Sequence, residues 1–98
     1  MGATSVLGAF EWDEEKERIN VSKHGINFLV ASGAFLDPDR MIAVDELHSR
    51  TEPRQFCIGK VADRVLTVRF TYRRSRILGA GTWKKGMALH EKENTRNR

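Results

Sequence analysis

Arg69, Arg73, Arg74 and Arg76 fall within eight residues, and His24 follows Lys23 at the end of a polar, acid-rich segment. A guanidinium is a planar fork of donors matched to carboxylate or phosphate oxygens, and guanidiniums this close in sequence repel one another unless an anion lies within reach. A phosphodiester is the commonest anion of matching geometry. An imidazole, with an unperturbed pKa of about 6.5, exchanges protons near working pH. These residue types together suit binding of a nucleic-acid backbone and acid–base work beside it.

The stretch RVLTVRFTYRRSRILGAGTW, from Arg64 to Trp83, must position the arginines. Leu66, Val68, Phe70 and Tyr72 alternate with Thr67, Arg69, Thr71 and Arg73, which predicts a strand with one buried face and one wet face. Arg73, Arg74, Ser75 and Arg76 form the turn into a second strand. Alternation favours Tyr72 as a core residue beside Phe70 and Val68, with stacking on a base as the other reading. If Arg69 and Arg73 share a face with Thr67 and Thr71, a basic stripe results. The competing role for Arg69 and Arg74 is protection of strands from edge pairing.

The elements that carry Lys23 and His24 come earlier. Asp13 is a helix N-cap followed by Glu14 and Glu15 in the first turn, and Gly25 suits the left-handed position that ends the helix after His24. Lys23 and His24 complement the negative end of that helix, so a purely structural role stands beside the acid–base one. Asn27 caps a second helix through Phe28, Ala31, Ser32 and Phe35, which Asp37-Pro38-Asp39 ends. Met41 to Asp45 and Gln55 to Val61 read as strands, Phe10 to Trp12 as an edge strand or anchor, and Lys84 to Lys92 as a candidate terminal helix weakened by Gly86. The expected architecture is α+β: a mostly antiparallel four-stranded sheet, two N-terminal helices on one face, and the candidate C-terminal helix. Residues 1–9 read as a flexible arm, 10–92 as one domain and 93–98 as a polar tail.

Ninety-eight residues allow one small core. Charge is divided by halves: residues 1–52 hold 5 Lys and Arg against 10 Asp and Glu, whereas residues 53–98 hold 12 against 3, net −5 and +9. A polyanionic partner suits the second half and a separate basic partner the first. Cys57 is the only cysteine, which excludes an internal disulfide and a cysteine-based metal cluster. It reads as a small buried apolar residue. No zinc-ligand spacing, calcium-loop order or phosphate-cradling glycine loop is present, so neither metal nor cofactor is expected. No apolar run is long enough for a membrane helix and residues 1–9 lack the features of a secretory signal, which leads to the expectation of a cytoplasmic protein.

The segment FEWDEEKERINVSKHGINFLVASGAFLDPDR, together with RVLTVRFTYRRSRILGA, resembles the BrnT-type toxins across about residues 10–80. The resemblance rests on the combined spacing of Trp12-Asp13, Lys16, Asn20, Lys23-His24-Gly25, Phe28, Phe35, Asp37-Pro38 and Arg76-Ile77. It implies a RelE-like fold and a ribonuclease toxin of a type II toxin–antitoxin pair. It also implies a BrnA-like ribbon-helix-helix antitoxin and operator DNA contacted only through the antitoxin complex. The family's last strand usually reads Arg-Ile-Ile-Ser-Ala-Arg, followed by a basic segment with a glutamate. Here Gly79 and Gly81 replace the serine and final arginine, and Gly86-Met87 falls where the glutamate is expected. Loss of a phosphate-binding arginine removes on the order of 10² in rate, so a weakened or inactive module that binds RNA or antitoxin only is the alternative reading.

Metal-independent RNA cleavage needs a base for the 2′-hydroxyl proton, cations for the phosphorane charge and an acid for the leaving 5′-oxygen. The candidate catalytic residues are His24, Lys23, Arg54, Arg73 and Arg76. Arg69, Arg74, Trp83, Lys84 and Lys85 are the candidate RNA-binding residues, with Trp83 as a stacking platform. His48 and His90 are weaker candidates, and Trp12 reads as a fold anchor. A stand-alone DNA-binding role ranks last, because no helix with base-reading residues is apparent.

Overall fold

The computed structural model describes residues 4–7, 10–46 and 52–83. In chain order the elements are β1 (Thr4–Leu7), β2 (Phe10–Asp13), α1 (Glu14–His24), α2 (Phe28–Ser32), a 3₁₀ turn (Gly33–Leu36), β3 (Met41–Val44), β4 (Gln55–Val61), β5 (Arg64–Thr71), a second 3₁₀ turn (Arg73–Ser75) and β6 (Arg76–Thr82). The fold is α+β, as expected. Its sheet has six strands rather than four, in the order β1-β2-β6-β5-β4-β3. Four pairings are antiparallel, and β2 pairs with β6 in parallel through Glu11 opposite Arg76 and Trp12 opposite Ile77.

The two additional strands lie at the N-terminal end. Residues 1–9 read as a loose arm, yet Thr4–Leu7 pairs with Phe10–Asp13. Backbone hydrogen bonds along a sheet edge require no hydrophobic alternation, so this strand leaves no pattern in the side chains. The candidate helix over Lys84–Lys92 and the tail over 93–98 lie outside the described residues, as do His48 and His90.

Helix α1 begins and ends as its capping residues dictate. The Asp13 carboxylate accepts from Glu15 N–H at 3.1 Å, and Gly25, at φ 71°, closes the helix by donating to Val21 C=O. Asn27 caps α2 by accepting from Val30 N–H at 2.7 Å, while Glu17 reaches from α1 to accept from Phe28 N–H at 2.9 Å. The second helix is α-helical only to Ser32 and then tightens into the 3₁₀ turn. Asp37 ends the turn and also does work at a distance. Its carboxylate accepts from Asp39 N–H at 2.9 Å and from Lys60 N–H at 2.7 Å, beyond the end of β3, and these donors hold the Asp37 carboxyl below its ordinary pKa.

The core lies between α2 with its 3₁₀ extension and one face of the sheet. It comprises Trp12, Ile26, Phe28, Ala31, Ala34, Cys57, Leu66, Val68, Phe70, Ile77 and Ala80. Trp12 meets Phe28 edge-on with ring centroids 6.1 Å apart, so it anchors β2 to α2. Cys57 is fully buried, and burial raises its thiol to about 11, which keeps it protonated. Tyr72 corrects the alternation. It is 65% exposed, lying beyond the end of β5 and meeting the Phe70 ring edge-on at 5.0 Å.

Gly59 is where the helical layer touches the sheet most closely. A Cβ there would lie 2.3 Å from Ala34 C=O, a backbone atom that moves only if the 3₁₀ turn moves. Gly59→Ala is therefore expected to destabilise the protein by about 1–3 kcal/mol, the usual cost of overpacking. Urea unfolding of the variant checks this, and an unchanged midpoint would mean that the turn yields freely.

Candidate functional site

Strand alternation puts Thr67 and Arg69 on the face of β5 opposite Leu66, Val68 and Phe70. Register then extends that face across three strands, with Phe56 beside Arg69 and Arg69 beside Gly79, and Thr67 beside Gly81. On β6 the strand pairing with β2 stops at Ile77, because the chain leaves the sheet at Glu14 to form α1. Helix α1 replaces the missing strand. Asn20, buried, accepts Ala80 N–H through Oδ1 at 3.0 Å and donates through Nδ2 to Ile26 C=O at 2.9 Å.

These elements enclose a cleft of about 330 Å³. Asn20 and His24 form its helical wall, and Phe56, Thr67, Arg69, Gly79 and Gly81 lie on the sheet side. Arg69 lies over the Phe56 ring, 5.4 Å from its centroid, and its Nε is 3.0 Å from Asp45 Oδ2. Asp45 is buried just after β3, where its N–H donates to Arg54 C=O at 2.8 Å. An aromatic face and a carboxylate thus orient one guanidinium in the cleft that His24 also lines. The glycines leave room beside it: a Cβ at Gly79 would meet only Asn20 Oδ1, at 3.7 Å, and a Cβ at Gly81 would meet nothing within 4 Å.

The remaining arginines lie elsewhere. Arg76 donates to Glu11 Oε2 from Nε at 3.1 Å and approaches the same oxygen with Nη2 at 3.0 Å, and Arg74 Nε lies 3.3 Å from it. Arg73 Nη1 is 3.9 Å from Glu52. The anions facing Arg69, Arg73, Arg74 and Arg76 are therefore three carboxylates of the acidic half. Intramolecular pairing was absent from the sequence reading, in which phosphate was the expected counter-ion. Arg74 (φ 63°) and Ser75 (φ 45°) occupy left-handed backbone, at a cost of roughly 1–2 kcal/mol per residue for L-amino acids. That turn brings Arg74 back to the Glu11–Arg76 pair.

Arg73 also lines a second cleft, with Tyr72, Thr71, Gln55, Pro53 and Glu52. Lys23 is exposed at the end of α1 but is not among the residues lining the first cleft. Trp83 is half-buried, and its N–H donates to Val65 C=O at 2.7 Å, prolonging the β5–β6 pairing. Lys84 and Lys85 lie outside the described residues. Among the described residues, no three His, Cys, Asp or Glu side chains form a group able to hold a metal ion, and no helix is long and apolar enough to cross a membrane. Sequence reasoning missed Asn20, Asp45 and Glu11 as parts of this surface. Asn20 appeared in the family spacing, but neither acid carried a signal separating it from its neighbours.

The model of the family described as "Ribonuclease toxin, BrnT, of type II toxin-antitoxin system" matches residues 12–86. The chain belongs to this family, whose description implies an RNA substrate and an antitoxin partner. No curated protein matches the chain.

Proposed function

We propose that this protein is an endoribonuclease toxin that cleaves RNA by metal-independent acid–base catalysis. The observation that carries the reading is the shared cleft of His24 and Arg69. His24 takes the 2′-hydroxyl proton, the 2′-oxygen attacks the adjacent phosphorus, and Arg69 offsets the charge that accumulates on the phosphorane oxygens. The imidazolium so formed then returns the proton to the departing 5′-oxygen as the P–O5′ bond breaks, leaving a 2′,3′-cyclic phosphate and a 5′-hydroxyl. Arg54, Arg73, Arg76 and Lys23 hold the phosphates on either side, and Arg74, Trp83, Lys84 and Lys85 extend the track. On this reading the sheet and helices are a RelE-like scaffold, and a BrnA-like ribbon-helix-helix antitoxin covers the toxin and alone reads operator DNA. The protein acts in the cytoplasm.

Incubation with single-stranded RNA in EDTA tests the reaction. Products ending in 2′,3′-cyclic phosphate are expected, and Arg76→Ala should slow their formation. Intact RNA with a folded protein would overturn the proposal.

A second reading, a weakened toxin that keeps binding, is favoured by the bare floor at Gly79 and Gly81 and by the carboxylates facing the arginines. It predicts that Gly81→Arg, which has open space for its side chain, raises cleavage at least ~10-fold, since one phosphate-binding arginine contributes on the order of 10². Unchanged or lower activity in a folded variant would count against a single missing group.

A further inference from the structure

The Glu11 cluster has more positive charge than its one carboxylate neutralises. Arg74 and Arg76 converge on the same oxygen, Oε2, so the three side chains carry a surplus of one positive charge. The parallel register of β2 and β6 sets Glu11 directly beside Arg76, and the left-handed turn at Arg74 and Ser75 delivers the second guanidinium. The Arg74 side chain is 65% exposed, the Arg76 side chain 26% and the Glu11 side chain 13%, so a ligand approaches from the Arg74 side with the carboxylate lying deeper. A carboxylate between two guanidinium forks occupies the position that a phosphate would take.

We propose that Glu11 is an internal competitor for RNA phosphate: it holds Arg74 and Arg76 in place as a preformed backbone-phosphate subsite and sets that subsite's affinity. This deepens the ribonuclease reading and rests on it. Arg76 precedes Gly79 and Gly81 by three and five residues on β6, or about 10–16 Å at ~3.3 Å per residue. The subsite therefore takes a phosphate distant from the one cleaved beside His24. An RNA phosphodiester carries one negative charge and two non-bridging acceptor oxygens, a match for the carboxylate it displaces, and Arg73, exposed on the same turn, lies near enough in sequence to add a further cation.

The test is binding of a 2′-O-methyl RNA oligonucleotide, which cannot be cleaved through its 2′-oxygen, measured across a salt series for the full chain. Glu11→Gln is expected to tighten binding ~10-fold and to steepen the slope of log K against log salt by about 0.7, one further phosphate contact on a single strand. Arg74→Ala should weaken binding less than 3-fold with Glu11 present and about 10-fold in the Glu11→Gln background, in line with charge contacts whose strength depends on competition. If Glu11→Gln melts early, the single variant Arg74→Ala still decides: a loss well above 3-fold shows that Glu11 does not compete. Unchanged affinity and slope in folded Glu11→Gln would overturn the inference while leaving EDTA-resistant cleavage, and hence the ribonuclease reading, intact. A Glu11→Gln gain with no cleavage by the native chain would overturn the ribonuclease reading and support the phosphate subsite. Absence of binding by both proteins would overturn both.

Discussion

His24→Ala is expected to lower the RNA cleavage rate by ~10²–10⁴-fold, the range for removal of a positioned acid or base. The imidazole lines the cleft with Arg69, and in the proposed reaction no other titratable group of the wall replaces it. Its contribution to the fold is small by comparison. A basic group in the last helical turn is worth at most about 0.3–1 kcal/mol, and Lys23 remains there in the variant. The melting temperature should therefore move little while product formation collapses. Lys23→Ala, altering an exposed cation outside the cleft lining, should reduce cleavage far less. Single-turnover rates on one oligonucleotide separate these outcomes. Equal losses for the two variants would mean that His24 serves the helix end and the acid–base group lies elsewhere.

Asn20→Ala is expected to destabilise the protein by about 2–6 kcal/mol. The side chain makes two buried hydrogen bonds, to Ala80 N–H and Ile26 C=O, and each group left unsatisfied costs about 1–3 kcal/mol. Both lie where α1 stands in for a strand along β6, so the loss loosens the helical wall that carries His24. Asn20→Asp keeps an acceptor for Ala80 N–H but buries a carboxylate whose second oxygen faces Ile26 C=O, so at neutral pH it should destabilise at least as much as the alanine variant. Urea unfolding checks the series. Near-native stability of Asn20→Ala would show that water reaches and satisfies both groups.

Local structure was largely legible from residue types acting on their neighbours. Asp13, Gly25, Asn27 and Asp37 marked helix and turn boundaries because capping and turn chemistry operate over two to four residues. The β5 face was legible from Leu66 to Phe70 because alternation is a property of a strand by itself, but it failed at Thr71, expected on the wet face and 2% exposed, past the register shift at Arg69 and Phe70. Thr4–Leu7 was not, since an edge strand paired through its backbone writes little into its side chains. Tyr72 failed for a related reason: alternation continues past the residue at which the strand ends. The 3₁₀ turn after Ser32 brings Ala34 against Gly59, a contact between residues far apart in sequence that no local pattern announces.

The candidate site divides in the same way. His24, Arg69 and the departures at Gly79 and Gly81 were all visible in the sequence. Their meeting in one cleft required the β5–β6 register and a helix lying along the sheet edge, neither of which any short segment contains.

By itself the sequence determined the α+β class, the capped helices, the basic hairpin and a division of charge into an acidic first half and a basic second half. Only the tertiary structure decided where that charge goes. Composition reports how many charges each half carries but not the distances between them, and Coulomb interactions depend on distance. The sheet sets Glu11 beside Arg76, Asp45 beside Arg69 and Glu52 near Arg73, so much of the division is reconciled inside the fold. Among the described residues, the fold leaves a surplus of one positive charge at Glu11 and orients the Arg69 guanidinium in the cleft that His24 lines, the two places to which the proposed function assigns RNA phosphate.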